Sequence, residues 1–187
     1  LDNNLLTDDP FKLINDPSID VIVEVMGGVD LAKDIILRSL KSGKSVVTAN
    51  KAVIARYGEE IYKTASKEGV YILSEAAVCG GIPIIEPLKR SLKSNSIKKM
   101  VGIINGTTNF ILSKMANEKA DYEETLKLAQ SLGYAELDPT ADVEGLDAAD
   151  KISILSELAF GGKIKRDEIN SEGISKINLK DIEYANK

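Results

Sequence analysis

The chain contains no histidine. That absence removes the commonest general base and every zinc site that depends on an imidazole. Any acid–base chemistry must come from lysine, aspartate, glutamate or tyrosine. Cysteine is almost as scarce: Cys79 is the single thiol, so no disulfide can form within the chain. A reducing, cytoplasmic setting is the expectation. No apolar run approaches the ~18–20 residues that span a bilayer. Positive charge is in deficit, with 24 Lys+Arg against 29 Asp+Glu and a formal net charge of −5. A nucleic-acid surface would want the opposite balance, so neither nucleic acid nor membrane is expected as a partner. Internal repeats and low-complexity segments are also absent. The opening stretch, Leu1 to Pro10, is acidic and has neither the charged nor the apolar region of a signal peptide. It lacks an initiating methionine, and an interior piece of a longer chain is expected.

What is present suits a soluble globular protein. A length of 187 residues allows one or two domains and a real core. A short helix and turn over 8–20 leads into Asp20-Val-Ile-Val-Glu-Val-Met-Gly28, a β-branched run of the kind that suits a buried parallel sheet. The spacing predicts a helix over 29–42 with Leu31, Ile35, Ile36 and Leu40 as its apolar stripe, ended by Gly43. Lys44 to Asn50 reads as a second strand, Lys51 to Glu68 as a helix, and Val70 to Ser74 as a third strand. Strand, helix, strand, helix, strand implies right-handed crossovers and a doubly wound parallel sheet. Ligands of such sheets sit outside the carboxyl ends of the strands: at Met26-Gly27-Gly28, at Thr48-Ala49-Asn50-Lys51, and from Glu75 onward. The G-x-G-x-x-G fingerprint of a dinucleotide domain occurs nowhere, and loss of an opening unit upstream is the expectation.

After Glu75 the pattern changes. A helix is expected from Pro83 to about Leu92, a strand over Ile97–Ile104, and helices from about Phe110 to Asn117 and Tyr122 to Leu132. A mixed connection over 163–174 and a short helix in the tail, 178–187, complete the reading. The informative stretch is Gly133 to Lys151. Pro139 pushes Asp138 out of the helical region, so 134–143 reads as extended chain and turns. A helix begins near Leu146, with Ala148, Ile152, Leu155 and Ala159 on one apolar face. Asp147 and Lys151 are four apart and project from the same side. By spacing alone this is an ordinary exposed ion pair worth a few tenths of a kcal/mol. With Glu136 on the incoming loop, it is also a constellation that could hold a small zwitterion. Lys51 at a strand's carboxyl end is either a surface lysine or a group over the ligand crevice.

Taken together, the M-G-G strand end, T-A-N-K at 48–51, S-E-A-x-V-x-G-G-I-P at 74–83, I-N-G-T-T-N-F-I-L at 104–112, G-Y-x-E-x-D-P at 133–139 and G-L-D-x-x-x-K at 145–151 resemble the homoserine dehydrogenase family, in order and in spacing. The resemblance implies NAD- or NADP-dependent interconversion of L-homoserine and L-aspartate 4-semialdehyde, in threonine, methionine and isoleucine biosynthesis. It implies catalytic roles for Lys151 and Lys51, substrate binding by Glu136 and Asp147, and cofactor contacts at Lys51, Gly133 and Glu136. Glu75 and the carbonyls of Val78, Gly80 and Ile82 would hold a sodium-like monovalent cation. Residues 1–76 would be the remaining part of the NAD(P)-binding domain and 77–187 the α/β catalytic and dimerisation domain of a homodimer. Two other readings stand beside it: another nicotinamide enzyme, such as one acting on aspartate, and a non-catalytic dimerising fragment.

Overall fold

The computed structural model describes residues 5–162 and 164–185. Lys163, in the expected connection, and the end of the expected tail helix, 186–187, lie outside the described residues. The chain forms two compact units, one from Leu1–Ser96 with Ile154–Gly162, the other from Ile97–Ser153 with Lys163–Lys187.

The first unit begins with α1 (Pro10–Asn15), whose N-terminus is capped by the Asp9 carboxylate accepting from the Phe11 amide. Then follow β1 (Val21–Glu24), α2 (Asp30–Lys41), β2 (Ser45–Thr48), α3 (Lys51–Glu68) and β3 (Ile72–Leu73). The strands pair in parallel in the order β1-β2-β3, with Val21 opposite Ser45 and Val46 opposite Ile72. Because successive strands are added in one direction, right-handed crossovers carry both helices to one face. Ile22, Val46 and Ile72 are buried on that face against Ile35, Ile36, Leu40, Ile54 and Ile61. Each such side chain contributes about 1.5–3 kcal/mol on burial. The other face is open: Val21, Val23 and Leu73 are exposed. The apolar run at 21–25 therefore reads as more buried than it is. Leu31, assigned to the inner stripe of α2, is also exposed. The buried stripe runs through Ala32, Ile35, Ile36, Ser39 and Leu40, and Leu31 lies off it.

Two further departures follow β3. The helix expected from Pro83 begins later, near Ile85, and winds as a π-helical turn over Pro87–Ser91. Pro87 offers no N–H to the ladder, and the turn closes from the Leu92 amide to the Pro87 carbonyl at 2.9 Å. In the second unit the expected strand 97–104 pairs with no other strand among the described residues. A strand exists only by its ladder bonds, and none is supplied to this segment among the described residues.

Next come α4 (Gly106–Glu118), α5 (Tyr122–Ser131), α6 (Thr140–Val143), α7 (Leu146–Phe160) and α8 (Leu179–Ala185). Ile111, Met115, Ala129, Ala135 and Val143 make the core of this unit. Where turns alone were expected, α6 forms one helical turn, because the Asp138 carboxylate accepts from the Thr140 amide and starts it. The inner face of α7 also differs from expectation. Leu155 is buried, but with Ser153, Ile154 and Ser156, and buried Asp147 and Ala149 precede them. Four consecutive buried residues mean that this helix is covered nearly all round.

Candidate active site

At the carboxyl ends of β1 and β2, Glu24 is 1% exposed despite its charge. Its carboxylate accepts from the Thr48 hydroxyl at 2.5 Å and from the Met26 amide at 2.8 Å. Burying a carboxylate is tolerable only with such donors. Asn50 joins the same two loops. Its side-chain oxygen caps α3 at the Val53 amide, and its amide group donates to the carbonyls of Met26 and Gly28. The Gly27-Gly28 turn is thus held from one side. On the other it is open, since a Cβ at either glycine would meet nothing within 4 Å. Gly28, at φ +81°, adopts a conformation that favours glycine. Lys51 opens α3 beside this turn and is partly buried.

The loop after β3 is organised by Glu75. Its carboxylate accepts from the amides of Ile84 (2.5 Å), Ile85 (2.9 Å) and Glu86 (2.8 Å), anchoring the start of the turn at 84–91. Between them the chain curls through Cys79, at φ +54°, and Gly81, at φ +80°. Val78 is buried, whereas Gly80 and Ile82 are exposed. No group of three or more acidic or sulfur ligands occurs among the described residues. A site built from one carboxylate and backbone carbonyls is of a different kind.

The second unit holds the denser constellation. Asp147, 5% exposed, and Lys151 sit one turn apart on α7 and form an ion pair at 2.6 Å, with side chains 6% and 16% exposed. This is not the solvated surface pair that spacing alone suggested. The Lys151 amine also donates to the Ile104 carbonyl at 2.7 Å. Asn105 donates to Asp147 at 3.1 Å and to Asp142 at 2.7 Å. Thr107 reaches Asp142 at 3.1 Å and donates to the Tyr134 carbonyl at 2.6 Å. The Tyr134 ring stacks on Phe110 with centroids 4.7 Å apart. The loop Gly133 to Pro139 is therefore pinned to α4 at its start. Further along, Gln130 donates to the carbonyls of Glu136 (3.1 Å) and Leu137 (3.3 Å).

The structure brings Asp147 and Lys151 together as expected, and leaves Glu136 exposed on the pinned loop, outside their hydrogen-bond network. Gly133, at φ +78°, ends α5 and turns the chain into that loop. Sequence reasoning missed Asp142, Asn105 and Glu24. The polar cluster Asn105-Gly-Thr-Thr reads from sequence as a helix cap within a stretch that resembles the base of the family's active site, with no catalytic role assigned to it. A glutamate closing an apolar strand was a signal for Glu24. Nothing in the local pattern marked Asp142, because its partners lie 35 and 37 residues away.

Comparison with known proteins places both units in one family. The family described as homoserine dehydrogenase matches residues 83–187, and its NAD-binding domain matches residues 1–75. A homoserine dehydrogenase of Synechocystis is 57% identical over 98% of this chain and 42% of its own length. One of Bacillus subtilis is 49% identical over 100% of this chain and 43% of its own. The crystal structure of a Thiobacillus denitrificans homoserine dehydrogenase superposes with a TM-score of 0.93 at 48% identity, covering 96% of this chain and 42% of that one. A hyperthermophilic archaeal homoserine dehydrogenase in complex with NADPH gives 0.82 at 32% identity, covering 91% and 53%. The chain thus spans about two-fifths of the length of the curated relatives it matches. With both of its units matched and the motifs of the two crevices in their proper order, the chain belongs to the homoserine dehydrogenase family.

Proposed function

We propose that this chain carries the substrate-binding and proton-transfer groups of a homoserine dehydrogenase, acting on L-homoserine and L-aspartate 4-semialdehyde. The observation that carries the reading is the buried Asp147–Lys151 pair at 2.6 Å. An exposed pair would add little, whereas a pair held out of water beside a polar loop can bind and protonate. A bound nicotinamide supplies or accepts the hydride. When hydride arrives at an aldehyde carbon, negative charge builds on the oxygen. The Lys151 ammonium stabilises that charge and donates the proton. Two of its three N–H bonds are engaged, by Asp147 and Ile104, leaving a third for the substrate oxygen. Asp147 and Glu136 bind the α-ammonium and the hydroxyl, and Lys51 is the second catalytic lysine in this reading.

Two features of the first unit support a nicotinamide cofactor. Backbone can approach the ligand closely at Gly27-Gly28, where no side chain intervenes, and Lys51 follows at the next strand end. Gly133 and Glu136 are further cofactor contacts in this reading, with NADP or NAD as the species. For a monovalent cation, Glu75 with the Val78, Gly80 and Ile82 carbonyls gives an all-oxygen donor set with one negative charge, which suits such an ion. The three amides on the Glu75 carboxylate leave lone-pair capacity on Oε2, which takes one of them. A second copy of this chain is the proposed partner. Val101 and Ile103, 80% and 79% exposed on the unpaired segment, are surface of the kind that a partner covers. The setting is cytoplasmic. Among the described residues no helix is long and apolar enough to cross a membrane.

The test is homoserine-dependent reduction of NADP or NAD by the chain and by Lys151→Ala. Loss of a general acid lowers kcat by about 10²–10⁴-fold, and that loss is expected. Unchanged turnover in the variant, or aspartate oxidised in preference to homoserine, overturns the reading.

A further inference from the structure

We infer that Asn105 is the positioning residue of this site: its single amide ties Asp147 to Asp142 and sets where the Lys151 amine stands. The inference rests on the reading of Asp147 and Lys151 as substrate-binding groups. Asn105 is 8% exposed, and both ends of its side-chain amide are engaged. Its oxygen accepts from the Thr108 amide at 2.8 Å, capping α4. Its nitrogen donates to Asp142 at 2.7 Å and to Asp147 at 3.1 Å, which takes both amide protons. The orientation is not arbitrary. A flipped amide would set donor against the Thr108 N–H and acceptor against two carboxylates.

The consequence is electrostatic as well as steric. Asp142 on α6 and Asp147 on α7 are like charges facing one small group. Like charges this close disfavour each other. Two N–H bonds from one amide stand between them and leave Asp147 Oδ2 to be shared with Lys151. The neighbouring residue completes the clamp, because the Ile104 carbonyl accepts a hydrogen bond from the Lys151 amine. Two successive residues therefore hold both members of the pair. Ile104 fixes the ammonium by its carbonyl, and Asn105 fixes the carboxylate by its amide. Asn105 touches neither reacting atom in this account; it acts through Asp147.

Asn105→Ser and Asn105→Thr separate this role from capping, because either hydroxyl caps a helix about as well as asparagine does. Neither can donate to two carboxylates at once. The readout is the rate at which acetic anhydride modifies Lys151, measured by peptide mass spectrometry in the whole chain, relative to an exposed lysine, Lys119, as internal reference. The Lys151 rate is expected to rise about threefold to tenfold in both variants, the weight of one lost hydrogen bond in an opening equilibrium. Thermal midpoints should stay close to the parent's. An unchanged Lys151-to-Lys119 ratio in a folded variant overturns the inference, since loss of the cap alone would not reach Lys151. L-homoserine added to the parent chain tests the underlying reading separately. Protection of Lys151 supports it, and absence of protection sinks it whatever the variants do.

Discussion

A carboxylate and an ammonium 2.6 Å apart and largely out of water behave as one unit. Their mutual attraction offsets a desolvation cost of several kcal/mol per ion, and extra hydrogen bonds from Ile104 and Asn105 make that balance possible. Asp138, in the loop leading to them, shows the opposite regime. It is fully exposed, and its carboxyl is held below the usual carboxylate range, first by the Thr140 hydroxyl and then by the Thr140 amide, against a small opposing effect of burial. A depressed acid contributes its bonds above the ordinary value of about 3.9 and loses them as pH falls through the lower, folded one. Following the Thr140 amide by NMR during acid titration should give a midpoint below that ordinary value. A midpoint at or above it would mean that the Asp138 bonds do not start α6. At this scale the sequence was legible where residues share a helix turn, as Asp147 and Lys151 do. It was silent on Asp142, whose environment is set by contacts with Asn105 and Thr107 more than thirty residues away.

Among the elements, α6 and the start of α7 carry the acids of the site, and the corner between them is braced by a passing segment. The Ile174 amide donates to the Val143 carbonyl at 2.7 Å. Gly173 lies so close that an added Cβ would meet Glu144 Oε2 at 2.6 Å, the Val143 carbonyl at 2.7 Å and Glu144 Cα at 2.9 Å. Two of those atoms are backbone and cannot swing away. Gly173→Ala should therefore destabilise the chain by about 1–3 kcal/mol, the usual cost of overpacking, read from the midpoint shift in urea unfolding. A stability equal to the parent's would show that the segment is not packed against this corner. Elements with long, regular periodicity were the readable ones: α3 spans Lys51–Glu68 as its pattern and its closing Gly69 require. The unreadable ones depend on partners. Residues 97–104 have strand composition, but no neighbour supplies a ladder among the described residues. Pro87 turned an expected α-helix into a π-helical turn because a missing N–H outweighs apolar spacing.

At the scale of the whole molecule, the two units divide the labour. The first presents an open glycine turn and Lys51 at the carboxyl ends of a parallel sheet. The second presents a buried acid–base pair beside a pinned polar loop. The family boundaries, 1–75 and 83–187, fall on either side of the Glu75-anchored loop. The compact units instead assign residues up to Ser96 to the first and return Ile154–Gly162 to it. A motif reading could not anticipate that exchange, because it depends on how α7 is packed along its length. The account's central claim is that the Asp147–Lys151 pair is a binding site for a small amino-acid zwitterion. It is tested most directly by calorimetric titration of L-homoserine into the chain and into Asp147→Asn. Removing one charged partner from a largely buried pair costs about 2 kcal/mol or more, so the variant should bind at least about thirtyfold more weakly. Equal affinity in the two proteins would contradict the account.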